Sequence, residues 1–369
     1  MASGTELNHA ELVSRFLSED IGQFTRFLAA MEKEVEGHAT PHSERHLARL
    51  TEATDAGRDA CTRLEMEIGD DEDQLRAAQA AYRHAIAPWF DQSWFMHRAK
   101  VKPMGYPGDY LILNAIYDRL PKSSGIGGYL DLYFLNTELG RAVCTRLKAA
   151  RDFVLAEIAR RSGDVSLLNI ACGPCREYAE GLPHPPNVHP SVTCIDAEPE
   201  ALDFVRDNVA VLGNGTPDLN CVQYNALKMS STKRNIKHFG RPDVIYSIGL
   251  FDYLTDRHLV PMLRGLRESL AEDGVLYVAF KDGDRYNKTI YHWMADWFFL
   301  YRSVDDCRRL YEQAGFDMNA LDMTRDDTGI IINFIARVGH DTVYRVDGAQ
   351  ETPERERQTA LETAPENAG

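Results

Sequence analysis

Val165-Ser166-Leu167-Leu168-Asn169-Ile170-Ala171-Cys172-Gly173-Pro174-Cys175 is an apolar run that breaks at a turn of small residues and continues into a helical pattern. Short apolar runs bounded by Gly and Pro read as buried strands, so the stretch predicts a strand feeding a ligand-binding turn. A second reading competes, because Cys172-Gly173-Pro174-Cys175 has the spacing of a thiol redox pair whose first thiolate sits at a helix N-terminus. Downstream residues bear on the choice. After a helical segment and a Pro-rich connection, Val192-Thr193-Cys194-Ile195 forms a second apolar strand that ends in Asp196, roughly 20 residues past the turn. A carboxylate there can accept from both hydroxyls of a ribose, and a small turn lets a ligand approach the backbone. A redox fold has no use for that acid, and Ala171 stands where such folds usually carry Trp.

The strand series continues with Leu219 to Tyr224, which ends at Asn225-Ala226, then Pro242 to Gly249, then Gly274 to Phe280. Helix-length segments separate them. Near-continuous apolar strands alternating with helices imply a Rossmann-like parallel sheet covered on both faces, with ligand bound outside the carboxyl ends of the strands. The last pair, around Asp317 to Asp322 and Gly329 to Arg337, has a short connection that suits an antiparallel hairpin at the sheet edge.

Over roughly residues 160 to 340 the chain resembles the class I S-adenosylmethionine (SAM) dependent methyltransferases, whose seven-stranded sheet ends in such a hairpin. The resemblance implies that Ala171, Cys172 and Gly173 match the glycine motif beside the amino-acid end of SAM. It places Asp196, with Ala197, at the ribose, and Asn225 and Ala226 beside the adenine. Ser247, Gly249, Leu250 and Phe251 then face the reacting methyl. The departure is one Gly where the family often has three, which weakens a pyrophosphate-binding alternative. A finer similarity lies in Lys102 to Tyr110, in Cys172-Gly173-Pro174 followed by Arg176-Glu177, in Gly249 to Leu254, and in Asp296-Trp297 with Tyr301-Arg302. These stretches are similar to bacterial methyltransferases of extracellular-factor 3-hydroxypalmitic acid methyl ester biosynthesis. The resemblance implies SAM as cofactor and a small-molecule acceptor, with a carboxylate such as a fatty or hydroxy fatty acid leading.

Bulk properties agree with such a substrate. A formal charge of -15 over 369 residues argues against an extended nucleic-acid surface, which needs clustered Lys and Arg. Seven cysteines without framework spacing, no signal-like N-terminus and no apolar run long enough to span a membrane predict a cytoplasmic protein, and no metal motif is evident. Residues 1 to 160 contain no convincing strand. Leu12, Phe16, Ile21, Phe24, Phe27 and Leu28 recur at helical spacing, as do Leu75, Ala78, Tyr82, Ile86, Trp89 and Phe90. This predicts an all-helical N-terminal domain able to pack on itself or form a homodimer. Within it an aromatic and glycine-rich segment, about residues 94 to 135, is expected to act as a substrate lid. The SAM-binding domain is expected over 161–340, and the Glu-, Thr-, Pro- and Ala-rich tail, 347–369, to be disordered.

Methyl transfer from a sulfonium needs a nucleophile held behind the methyl and water excluded. A carboxylate nucleophile arrives charged, whereas an alcohol needs a base. Asp109, Tyr110 and His292 are candidate acids or bases, Asp109 first because of its place between Gly108 and Tyr110. Arg98, Lys102, Arg285 and Arg302 are candidate anchors for a substrate carboxylate. Tyr106, Tyr110, Tyr129, Tyr133 and Trp297 offer aromatic faces to a sulfonium. Each has a plainer role open to it: an ion pair for Arg98 or Arg302, an N-cap for Asp109, core packing for His292 and the aromatics. Three further functions stay open: cyclisation of SAM to azetidine-2-carboxylate with release of methylthioadenosine, a non-catalytic SAM sensor, and a thiol redox protein using Cys172 and Cys175.

Overall fold

The computed structural model describes residues 9–209 and 218–339. The expected disordered tail lies outside the described residues. Eight helices come first: α1 (His9–Ser18), α2 (Asp20–Glu34), α3 (Glu44–Ile68), α4 (Glu72–Phe90), α5 (Trp94–Val101), α6 (Tyr110–Asp118), α7 (Gly125–Asn136) and α8 (Glu138–Ala159). Their starts are written in the sequence. Ser43, Asp71, Ser93, Asp109 and Thr137 each accept a backbone N–H of the first turn that follows them, which satisfies donors the helix leaves orphaned. The apolar positions read from the periodicity turn inward, with Phe16, Ile21, Phe24, Leu28, Tyr82, Ile86 and Phe90 all buried.

Seven strands follow: β1 (Gly163–Ile170), β2 (Val188–Asp196), β3 (Asp218–Gln223), β4 (Val244–Ser247), β5 (Val275–Lys281), β6 (Leu321–Arg325) and β7 (Ile331–Arg337). They form one sheet in the order β3-β2-β1-β4-β5-β7-β6. The first five run parallel, and β7 inserts antiparallel between β5 and β6. This is the Rossmann-like seven-stranded sheet with an N-terminal helical region that the sequence predicts. Both faces are covered, and side chains alternate between two cores as the pleat requires. In β5, Val275, Tyr277 and Ala279 join the core shared with the N-terminal helices, while Leu276, Val278 and Phe280 face α11 (Asp256–Ser269) and α12 (Val304–Gln313).

Two expectations need correction. The stretch after the β1 turn is not an α-helix; between β1 and β2 the chain makes only a short 3-10 turn, Arg176–Tyr178. Left-handed residues at Cys175 and Gly181, then Pro183, Pro185 and Pro186, leave no room for regular helix. The space such a helix would cover is taken by α8, whose Arg151 donates to the Gly181 carbonyl at 2.9 Å and whose Phe153 stacks on Tyr277 of β5, centroids 4.4 Å apart. The first strand of the hairpin starts at Leu321 rather than Asp317, because the Asp317 carboxylate accepts from the Asn319 N–H and folds the chain into a turn. Between the other strands lie α9 (Pro199–Asn208), α10 (Thr232–Phe239) and the two helices already named. No described helix is long and apolar enough to cross a membrane.

Candidate active site

The ends of β1, β2 and β4 meet at one edge, and the turn after β1 is built from unusual backbone. Ala171, Gly173 and Cys175 have φ of 54°, 53° and 51°. Every second residue is therefore left-handed, which costs a residue with a Cβ about 1–2 kcal/mol. Ala171 and Cys175 thus adopt a glycine-like backbone despite carrying a Cβ. Strain of this kind persists where surrounding structure fixes it, and here the fixing is visible. The Cys172 N–H donates to the Ile195 carbonyl at 3.1 Å, and the Gly173 N–H donates to Asp196 Oδ2 at 3.0 Å. Asp196 Oδ1 accepts from the Glu198 N–H at 3.1 Å. Burial raises the Asp196 carboxyl from its usual range, against the lowering pull of those amides. Ala197 beside it is exposed. Burial, and then the charge of Asp196, keep the Tyr106 hydroxyl neutral.

Asn225 caps the 3-10 turn Ala226–Ser230 by accepting from the Leu227 N–H at 2.9 Å, and it stays exposed at the rim with Ala226 partly covered. Ser247 closes β4 and donates to the Ile170 carbonyl at 2.9 Å, which ties β4 to β1. Gly249 faces inward, Leu250 is half-buried, and Phe251 is buried in the opposite core.

Beyond Gly249 lies a small, narrow pocket. Leu113, Ile116, Phe134, Val143, Trp297 and Phe299 give it apolar walls, and four of its groups are polar: Arg146, Lys281, Tyr253 and Tyr291. Gly108 lies between: a Cβ there would stand 3.0 Å from both Trp297 and the Tyr253 hydroxyl. The segment expected to act as a lid thus contributes Gly108, Leu113, Ile116 and Phe134 to the pocket. Lys281, 5% exposed, pairs with Asp252 at 2.5 Å and sits 4.1 Å over the Phe299 ring. Burial lowers its ammonium pKa, and the Asp252 charge opposes that.

The predicted substrate residues scatter. Asp109 is wholly buried, accepts from the Leu111 and Ile112 N–H groups at 3.0 Å each, and pairs with Arg98 at 2.8 Å. Its carboxylate starts α6 and does not line the pocket. Tyr110 packs on Phe204 of α9. Arg302 donates to the carbonyls of Phe251 and Leu254 and to Asp256, holding the loop after β4 in place. Lys102 pairs with Asp296 at 2.5 Å, and Arg285, exposed, lies 3.6 Å from Asp282. Tyr133 faces Asp55 of α3, inside the bundle. His292 packs on Phe298, and burial followed by the Lys288 charge lowers it to about 4. Trp297 alone of these lines the pocket, its indole N–H donating to the Tyr253 hydroxyl at 2.8 Å. The residues missed by sequence reasoning are Arg146, Tyr253, Lys281, Tyr291 and Phe299. Arg146 had a signal: it falls on the buried stripe Leu139, Val143, Arg146, Ala150, Phe153 of α8, where a charge is out of pattern.

The cysteines form a different group from the one their spacing suggests. Cys175 Sγ lies 3.5 Å from Cys194 Sγ, and the Cys194 thiol also meets Cys172 and Cys221. Cys172 is raised by its bond to Cys194 and by burial, and Cys175 by burial, so neither is an activated thiol. Cys221 is brought down to about 7 by the bond from Cys194, and it is half-buried. At pH 7.5 iodoacetamide is expected to label Cys221 about tenfold or more faster than Cys172 or Cys175. Peptide mapping of a labelling time course checks this.

The chain matches no family model and no curated protein. Among solved structures it is similar to one described as a possible exported protein from Bordetella parapertussis, at 18% identity and a TM-score of 0.54, over 74% of this chain and 99% of that one. What is shared is the fold. Matches with lower TM-scores include a TehB-like SAM-dependent methyltransferase from Corynebacterium glutamicum, at 15% identity and 0.33, over 52% of this chain and 91% of that one. Another is magnesium protoporphyrin IX methyltransferase from Synechocystis with bound S-adenosylhomocysteine, at 13% and 0.40, over 54% and 86%.

Proposed function

We propose that this protein is a SAM-dependent methyltransferase acting on a small molecule, with a carboxylate on an apolar body, such as a fatty or hydroxy fatty acid, as the acceptor and its methyl ester as product. The observation that carries the reading is the meeting of three things at one sheet edge. They are the left-handed turn 171–175, the Asp196 carboxylate at the end of β2, and a largely apolar pocket opening beside Gly249. The residues fit the cofactor. Asp196 keeps lone pairs for ribose hydroxyls after accepting its two backbone amides, and the turn presents backbone with no large side chain in the way.

Bound SAM would supply an electrophilic methyl on a sulfonium, and a carboxylate acceptor would need no proton removed before attacking it. The protein's part is placement and exclusion of water. Among the charged groups at the pocket, Arg146 and Lys281 outnumber Asp252, which favours an anion, and the aromatic walls favour an apolar body. Asp109 belongs in this reading as the pillar of the loop that carries Tyr106 and Gly108, with Tyr110 behind it, and Arg302 as the brace of the loop after β4. A base is dispensable for a carboxylate acceptor.

Calorimetric titration of the reduced protein with S-adenosylhomocysteine, followed by assays with SAM and a panel of carboxylic acids, tests the proposal. Micromolar binding and acid-dependent release of adenosylhomocysteine are expected. Acid-independent release of methylthioadenosine would replace methyl transfer by cyclisation of SAM, binding without turnover would make the protein a sensor, and absence of binding would overturn the reading.

A further inference from the structure

Arg146 is the one charged group of the pocket that the fold does not explain. It sits in the middle of α8, 3% exposed, on the stripe that otherwise packs Leu139, Val143, Ala150 and Phe153 inward. Its Nε has no hydrogen-bond partner, and no carboxylate pairs with its guanidinium among the described residues. The polar groups near it are the hydroxyls of Tyr117, Tyr253 and Tyr277, each held neutral by burial, and the Lys281 ammonium, none of which carries a negative charge. The other cation of the pocket, Lys281, is matched by Asp252, so the positive charge of Arg146 stands uncompensated in an apolar setting. A buried charge in that position is costly unless a ligand completes it. The site is open on the correct side: a Cβ built on Gly249 would lie 3.5 Å from Arg146 Nη2, and the bare glycine leaves the guanidinium facing the end of β4.

We propose that Arg146 is the carboxylate receptor of this pocket, a planar fork that takes both oxygens of one carboxylate. Two ligands at this edge of the sheet carry that group: the amino-acid end of the nucleoside cofactor, and the acid acceptor. The identity of the nucleoside rests on the methyltransferase reading above. The requirement for a carboxylate does not. Arg98, Lys102, Arg285 and Arg302 are all engaged with acids or carbonyls elsewhere, which leaves Arg146 to set the charge and shape of what the pocket accepts.

The test compares wild type with Arg146→Met and Arg146→Lys, titrated separately with S-adenosylhomocysteine, methylthioadenosine (which lacks the carboxylate) and decanoate. If the receptor serves the cofactor, Arg146→Met weakens adenosylhomocysteine about tenfold or more and leaves methylthioadenosine unchanged. If it serves the acceptor, adenosylhomocysteine binds as before and decanoate weakens by a similar factor. In either case Arg146→Lys recovers part of the loss. Thermal unfolding without ligand separates this from a structural role: loss of an uncompensated buried cation should leave the midpoint equal or higher. A variant that unfolds at lower temperature, or that loses both nucleosides equally, overturns the proposal, as does a wild type that binds neither carboxylate ligand. Wild-type binding of decanoate without either nucleoside would sink the cofactor reading and leave the receptor standing. Wild-type nucleoside binding with an Arg146→Met variant unchanged toward both adenosylhomocysteine and decanoate would do the reverse.

Discussion

Asp252→Ala is expected to lower the free energy of unfolding by about 3–5 kcal/mol, the usual cost of deleting one partner of a buried ion pair. The pair is nearly dry: Asp252 is 2% and Lys281 5% exposed, and the carboxylate accepts from both the Nζ and the backbone N–H of Lys281. Without it the ammonium would sit on the Phe299 face with Arg146 as its charged neighbour. The defect has a pH signature. A lysine whose folded pKa is depressed binds fewer protons folded than unfolded, so stability rises with pH between the two values. Burial already lowers Lys281, and removal of Asp252 takes away the main group that raises it. The stability gap between variant and wild type should therefore narrow as pH rises from neutrality toward the ordinary lysine value. Urea unfolding at a series of pH values measures it, and a gap that widens over that window would contradict the assignment.

Asp196→Ala should weaken S-adenosylhomocysteine by about 1.5–3 kcal/mol for each charge-assisted hydrogen bond lost to the ribose, roughly tenfold to 150-fold for one bond. The same substitution removes the acceptor of the Gly173 and Glu198 amides, so part of the loss comes from a turn no longer held in its left-handed form. Asp196→Asn separates the two contributions, since the amide oxygen retains one acceptor while the charge is gone. Titration calorimetry reads both variants, and unchanged affinity in Asp196→Ala would remove the nucleoside from this edge.

Period and composition made most of the sheet legible. β4, β5 and the second half of β2 are short apolar runs between turn residues, and their burial follows directly. In the β1–β2 link, Arg176, Glu177 and Tyr178 suit a helix in isolation. What decides that link is long range: Tyr178 and Tyr246 share a 2.6 Å hydrogen bond, and Glu177 accepts from Asn169 and Tyr246 below the turn. The turn after β1 is legible as a small-residue turn, and its left-handed backbone at Ala171 and Cys175 is borne by side chains small enough to tolerate it. The substrate side was less legible. Arg and Lys residues stood out in the aromatic segment, yet acids distant in sequence, such as Asp296, and main-chain carbonyls claim them. Which cation is left over is a property of the packed molecule.

Placement of α8 has a consequence for modularity. The helix precedes the first strand, yet Phe153 stacks on β5, Glu157 pairs with Arg337 of β7, and Arg151 holds the β1–β2 link. Cutting the chain at the apparent boundary near residue 160 would strip one face of the sheet to bare Val, Tyr and Ile, an invitation to aggregation. The helical half is then no accessory that evolution could exchange freely for another specificity module. It is the missing layer of the sheet itself, and any recombination that preserves a soluble sheet must carry α8 and its arginine along.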